Sequence, residues 1–191
     1  IKKINNEWRV YWKNIFGDSE HETWEGWHGC FKETHNGYYL CGSYRNIENT
    51  YRGIHINDFD STFHLIRKNI TFYDTIWYKC FDNIKSIDSS YFITGQIYNY
   101  DEEKYRMLFL KADNSGNYLW HKLFGNNVYE YGSHIIELSN GNIITAGNSW
   151  VTNINNTRWY IINTDTAGNI IWRNITGVVD SITDMLLQCL K

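Results

Sequence analysis

One phrase recurs along this chain at intervals of about fifty residues, and no other feature restricts the fold as severely. Its clearest copies are Asp113-Asn-Ser-Gly-Asn-Tyr-Leu-Trp120 and Asp165-Thr-Ala-Gly-Asn-Ile-Ile-Trp172. Each passes through an internal glycine, Gly116 or Gly168, and ends on a second glycine just past the Trp, Gly125 or Gly177. A third copy keeps Trp12 and Gly17, and a fourth, Asp60 to Thr71, holds register without either residue. Periods of this size belong to solenoids, propellers and arrays of equivalent units.

Within each period four segments recur in order. A short apolar strand comes first, with Cys30, Cys80, Ile135 and Met185 set at matching positions. A turn follows at His35-Asn-Gly37, Asp88-Ser-Ser90 or Asn140-Gly-Asn142. The second strand closes on Gly42, Gly95 or Gly147, where a missing side chain would leave room for something bulky to pack close. After a variable polar loop comes the third strand, Arg106 to Ala112 or Arg158 to Thr164, which the Asp-x-x-Gly-Asn turn reverses into the Trp-bearing fourth.

These runs are rich in β-branched and aromatic residues and are punctuated by Asn, Asp and Gly. Proline is absent, so the turns depend on Gly, Asn, Asp and Ser for positive φ or side-chain-to-backbone bonds. The expectation is an all-β chain of four-stranded units, each needing neighbours to cover its faces: a β-propeller. The indole would supply the apolar surface between units. The boundaries expected are a fourth strand over 5–17, blades over about 27–72, 74–125 and 130–177, and an incomplete blade over 178–191. Three and a half blades do not close a ring, so this reading makes the chain part of a larger propeller, closed by further blades or by another chain.

The Asp-x-x-Gly-Asn-x-x-Trp phrase, with the apolar strand ending in Gly, resembles the repeat of secreted and cell-surface β-propeller proteins of bacteria and archaea. More distantly it resembles the repeat of quinone-dependent dehydrogenase propellers, which is one residue longer between Asp and Trp. The resemblance implies a fold rather than a chemistry, because such repeats serve enzymes, scaffolds and adhesins alike. Two departures stand out: the Asp60 copy lacks Trp and Gly, and residues 82–88 lengthen one hairpin.

Charge and chemistry narrow the function only by exclusion. Lys and Arg number 18 against 21 Asp and Glu, which lacks the basic excess of a nucleic-acid binder. No apolar run reaches the length of a membrane-spanning helix. The four cysteines form no Cys-x-x-Cys, although Cys30 and Cys41 fall opposite each other in a hairpin where a cross-strand disulfide fits. The seven histidines show no metal-ligand spacing, and Asp113 and Asp165 lack the alternating acidic ligands of a calcium loop. No cofactor, metal site or catalytic constellation is expected.

Candidate binding residues lie in the loops where the copies differ most: Trp24, Glu25, Tyr98, Tyr100, Tyr129 and Trp150. Aromatics beside carboxylates suit either a protein interface or a sugar site. Asn69, Asn155 and Asn174 begin glycosylation sequons, which favours an extracellular or cell-surface setting. The function expected is a non-catalytic adhesion, scaffold or interaction module meeting another protein or further copies of itself. A carbohydrate-binding propeller is the alternative, and an enzyme with its site in further blades is the third reading.

Overall fold

The computed structural model describes residues 2–4, 7–9, 21–24, 31–46, 52–74, 77–125, 129–151 and 156–179. Its regular structure is entirely β, in fifteen strands. At the start β1 (Lys2–Ile4) pairs with β2 (Glu7–Arg9). The fourth strand expected over 5–17 is described only at Glu7–Arg9; Trp12 and Gly17 lie outside the described residues, as does the expected partial blade beyond Val179.

Three antiparallel meanders follow. The first comprises β3 (His21–Trp24), β4 (Phe31–Thr34), β5 (Gly37–Asn46), β6 (Arg52–Asp60) and β7 (Leu65–Asp74). β3 and β4 occupy successive stretches of the same edge of β5, so together they stand where the other units have one strand. The second meander is β8 (Tyr78–Lys85), β9 (Tyr91–Asn99), β10 (Lys104–Ala112) and β11 (Tyr118–Phe124). The third is β12 (Tyr129–Glu137), β13 (Ile143–Val151), β14 (Asn156–Thr164) and β15 (Ile170–Val179). A single parallel bridge, Tyr105↔Tyr129, joins the start of β10 to the start of β12 and so links the last two meanders.

Alternation of side chains across the pleat decides how these sheets pack. On β9, Tyr91, Ile93 and Ile97 join Leu108 and Leu110 of β10 in a core shared with Tyr39, Cys41, Ile54 and Ile56 of the first sheet. The intervening Phe92, with Met107 and Phe109, faces the other way into a core shared with Ile135, Ile143, Tyr160 and Ile162 of the third. The middle sheet is therefore covered on both faces, and the near-continuous burial of β9 follows from that. A two-layer sandwich would leave one of those faces open.

The Asp-x-x-Gly-Asn turns are superimposable in their bonding. Asp113 Oδ1 accepts from Ser115 N and Asn117 N, and Asp165 Oδ1 accepts from Ala167 N and Asn169 N, all at 2.8–2.9 Å. The glycines take left-handed backbone, φ 79° at Gly116 and 74° at Gly168. The Asp60 copy builds the same turn: Asp60 Oδ1 accepts from Thr62 N and His64 N, and Phe63 stands in the glycine position at φ 65°. Stacking of Phe63 on Tyr38, with centroids 4.2 Å apart, supports that otherwise costly conformation. The missing Gly changes the side chain and leaves the turn intact.

Three sequence-level expectations are corrected. First, residues 82–88 do not lengthen a hairpin. The turns at 86–90 and 138–142 close with the same pair of backbone bonds, and the first sheet, with Thr34 directly opposite Gly37, holds the odd, shorter one. Second, Cys80 does not match Ile135: Cys80 lies opposite Gly95, whereas Gly132 lies opposite Gly147 and Ile135 opposite Thr145. Both strands carry a bulge at the same place, after Cys80 and after Gly132, so Cys80 corresponds to Gly132 at the same spacing that separates Gly95 from Gly147.

Third, Gly95 and Gly147 do not make room for a bulky side chain. A Cβ on either would lie 1.8 Å from the carbonyl oxygen of Lys79 or Tyr131, on the adjacent strand beside the bulge. What they admit is neighbouring backbone. Gly42 holds the corresponding place on β5, opposite His55 of β6.

Candidate interaction surface

Each meander has two unlike ends. One carries the tight turns 86–90, 113–117, 138–142 and 165–169, whose bonding repeats from sheet to sheet. The other carries the connections around 99–104, 125–129 and 151–156, where the copies diverge. Strand direction places Trp77, Tyr98, Tyr105, Tyr129 and Trp150 together at this second end, because all sit where β8, β10 and β12 begin or β9 and β13 finish.

Their rings form one connected band. Tyr98 contacts Tyr100 and Tyr105, with centroids 4.8 and 4.9 Å apart. Tyr105 meets Trp77 at 6.1 Å and, across the bridge into the third sheet, Tyr129 at 4.7 Å. Tyr129 continues to Tyr131 at 5.9 Å and Trp150 at 6.2 Å, and Tyr131 reaches Phe81 at 5.5 Å. Most of these contacts are edge-to-face or tilted, the arrangement that ring quadrupoles favour. Tyr100 is 57% exposed and Trp150 42%, so the band ends in large apolar rings held in solvent.

Ionic groups frame the band. Lys79 places its ammonium 4.4 Å from the Trp77 ring, and Arg52 stands on the same indole at 5.9 Å. Burial holds the Lys79 amine below its usual range. It also raises the Tyr105 phenol, with Tyr129, Tyr98 and Tyr100 adding to the effect, so the Tyr105 hydroxyl keeps its proton at ordinary pH. Beneath it Arg106 binds Glu102 and the Gly125 carbonyl and lies 3.8 Å from the buried Glu130 carboxylate, which also accepts from Ser149 Oγ at 3.0 Å. A Cβ on Gly125 would sit 1.5 Å from a Glu130 oxygen, so the repeat glycine vacates space for a carboxylate.

Four of the six candidate binding residues, Tyr98, Tyr100, Tyr129 and Trp150, thus come together. Trp24 is described as the β3 residue opposite Ser43, and Glu25 lies outside the described residues. Sequence reasoning missed Trp77, Tyr105 and Phe81. For Trp77 and Tyr105 the available signal was their place beside strand ends next to the loops already singled out.

The sequons separate as well. Asn69 Nδ2 donates to Ser115 O at 2.9 Å and Asn117 Oδ1 at 3.2 Å, tying the first sheet to a turn of the second. Asn174 is exposed on β15, and Asn155 lies outside the described residues. The repeated Trp residues also part company. Trp120 packs on Phe92 and Phe109 and covers Gly168 of the next sheet, where a Cβ would approach its ring to 2.8 Å. Trp172 is 45% exposed. Gly177 falls within β15.

Turn carboxylates serve the turns. The Asn169 N–H, then its side-chain amide, hold Asp165 below the usual carboxylate range. Thr62 and His64 bring Asp60 down to about 2. Among the described residues no three His, Cys, Asp or Glu side chains gather as a metal site, and no helix is long and apolar enough to cross a membrane. Compared with protein-family models and with curated proteins, the chain matches none.

Proposed function

We propose that the three sheets are blades of a β-propeller and that the chain is a non-catalytic, extracellular or cell-surface interaction module. Blade-like geometry is supported by sheet-to-sheet contacts that recur in register. Asn69 reaches the turn at Asn117, and Lys122, nine residues past Asp113 as Asn69 is past Asp60, reaches the turn at Asn169 with Nζ 3.1 Å from Oδ1. Equivalent donors meeting equivalent acceptors in the following sheet is what rotation by a constant angle produces.

The observation that carries the functional reading is the aromatic band. A run of eight linked aromatic side chains, with Lys79 and Arg52 on its Trp77 ring and exposed Tyr100 and Trp150 at its ends, has the makeup of a protein-binding hot spot, rich in Tyr, Trp and Arg. The partner class is another protein, a further copy of the chain included.

The test is a binding screen of the purified chain against an array of extracellular proteins, with self-association followed by sedimentation. The paired variant Tyr100→Ser/Trp150→Ser is run alongside. Binding that falls at least tenfold in the variant while thermal unfolding is unchanged supports the reading. Binding indifferent to the pair refutes it. Asp101 and Glu102 beside the exposed Tyr100 favour carbohydrate as the second reading. A glycan array that retains the wild type and loses the variant would select it instead.

A further inference from the structure

Cys41 and Cys80 come from different sheets and meet in the core between them. Cys41 lies on β5 opposite Ile56, and Cys80 on β8 opposite Gly95. Their sulfur atoms are 3.6 Å apart, in van der Waals contact, and both residues are 0% exposed. The strands that carry them are also pinned locally, since Cys80 N donates to Ser43 Oγ at 2.9 Å, two residues along β5 from Cys41. Closing sulfur contact to a bond of about 2.05 Å asks for a movement of roughly 1.5 Å. Rotation about the two Cα–Cβ bonds, with no side chain on Gly95 to obstruct Cys80, supplies movement on that scale.

We propose that Cys41 and Cys80 form an inter-sheet disulfide when the chain folds in an oxidising compartment. The oxidant is a small-molecule disulfide or a dithiol oxidoreductase of that compartment. One cysteine thiolate attacks it, forming a mixed disulfide and releasing one thiolate. The second cysteine thiolate then attacks the protein-bound sulfur, forming Cys41–Cys80 and expelling the other thiolate. Two protein thiols lose two protons and two electrons, and one disulfide becomes two thiols. Burial in an apolar core disfavours the thiolate, so the chemistry takes place before the first two sheets close over the pair.

The bond closes a loop across a separation of 39 residues and fastens sheets that, among the described residues, meet through packed side chains and the Cys80 N–H to Ser43 Oγ bond. It differs from the Cys30–Cys41 cross-strand pairing that the hairpin count alone suggests, and it stands apart from whatever the aromatic band binds.

The experiment refolds the full chain in a glutathione redox buffer, blocks remaining thiols with N-ethylmaleimide in denaturant and maps unreduced peptides by mass spectrometry. The expected result is a Cys41–Cys80 linked peptide with Cys30 and Cys189 alkylated. Reduction is expected to lower the thermal midpoint by about 10 °C, a loss that Cys41→Ala/Cys80→Ala shows already and that reductant does not deepen. Alkylation of all four cysteines, or a Cys30–Cys41 linked peptide, overturns the proposal. A Cys30→Ser/Cys189→Ser variant keeps the test decisive if disulfide exchange scrambles the wild type: it must still yield the linked peptide.

Discussion

Replacement of Trp120 and Trp172 by alanine, one at a time, compares an indole between two described sheets with one on the last described strand. Trp120 makes edge-to-face contacts with Phe92 and Phe109 at 6.2 and 5.4 Å and covers Gly168 of the next sheet. An indole removes about 200 Å² from water, and at about 25 cal/mol/Å² that gives about 5 kcal/mol as a ceiling. A compact unfolded state lowers the figure by up to about two fifths, so Trp120→Ala is expected to cost about 3–4 kcal/mol. Trp172 is 45% exposed, which with the same reduction leaves about 2 kcal/mol. Urea unfolding followed by circular dichroism, with unchanged slope as the two-state check, reads both values.

The partner glycine sharpens the test. Gly168→Ala meets two costs, the left-handed φ of 74° and a Cβ 2.8 Å from the Trp120 ring. Gly141→Ala meets only the first, because nothing lies within 4 Å of its Cβ at φ 82°. About 1 kcal/mol is expected at Gly141 and about 2–3 at Gly168, with the excess vanishing in a Trp120→Ala background. A loss at Trp120 of about 1 kcal/mol or less, or a Gly168 cost that survives removal of Trp120, would refute Trp120 as a wedge between sheets.

Two further outcomes follow from single side chains. Burial, with the charge of Lys68 adding to it, lowers His55 from its ordinary 6.5 to about 4, so stability is full above pH 6.5 and declines toward pH 4 as only the unfolded chain takes up the proton. The decline amounts to about 3 kcal/mol, and chemical unfolding across that window should show it in the wild type and not in His55→Gln. When the chain is secreted from a eukaryotic host, peptide mapping should find glycan on Asn174 and none on Asn69 of the folded product, since the Asn69 amide nitrogen is committed to Ser115 and Asn117; an occupied Asn69 in folded protein overturns this.

What the sequence made legible was whatever local backbone chemistry demands. The Asp-x-x-Gly-Asn turns could be read because one carboxylate oxygen must accept two N–H groups and one residue must sit at positive φ. Phe63 shows the limit of that reasoning. Its aromatic neighbours sustain a conformation that glycine adopts freely, so the residue type stopped reporting the geometry. Strand-one register failed for a different reason: apolar pairs recur along these strands at more than one offset, and only pairing with Gly95 and Gly147 distinguishes them. The loss of Trp at position 67 has its own account, because Arg67 pairs with Asp58 across the strands where Trp120 lies opposite Lys111.

The candidate surface was half legible, and the division follows the same line. Tyr98, Tyr100, Tyr129 and Trp150 could be named because they stand in or beside the loops where copies diverge, whereas Tyr105 opens a strand and joins the band through Tyr98 on the neighbouring strand and Tyr129 across the bridge. Cys41 and Cys80 escaped for that reason too, since repeat spacing says which residues are equivalent and not which ones meet. The two ends of the sheets then divide their labour. At the turn end, bonds such as Asn69 to Asn117 and Lys122 to Asn169 fix each sheet to the next, so substitutions there are felt in stability. At the loop end, Tyr100 and Trp150 stand in water and contribute little to the core, which leaves them free to vary with a partner.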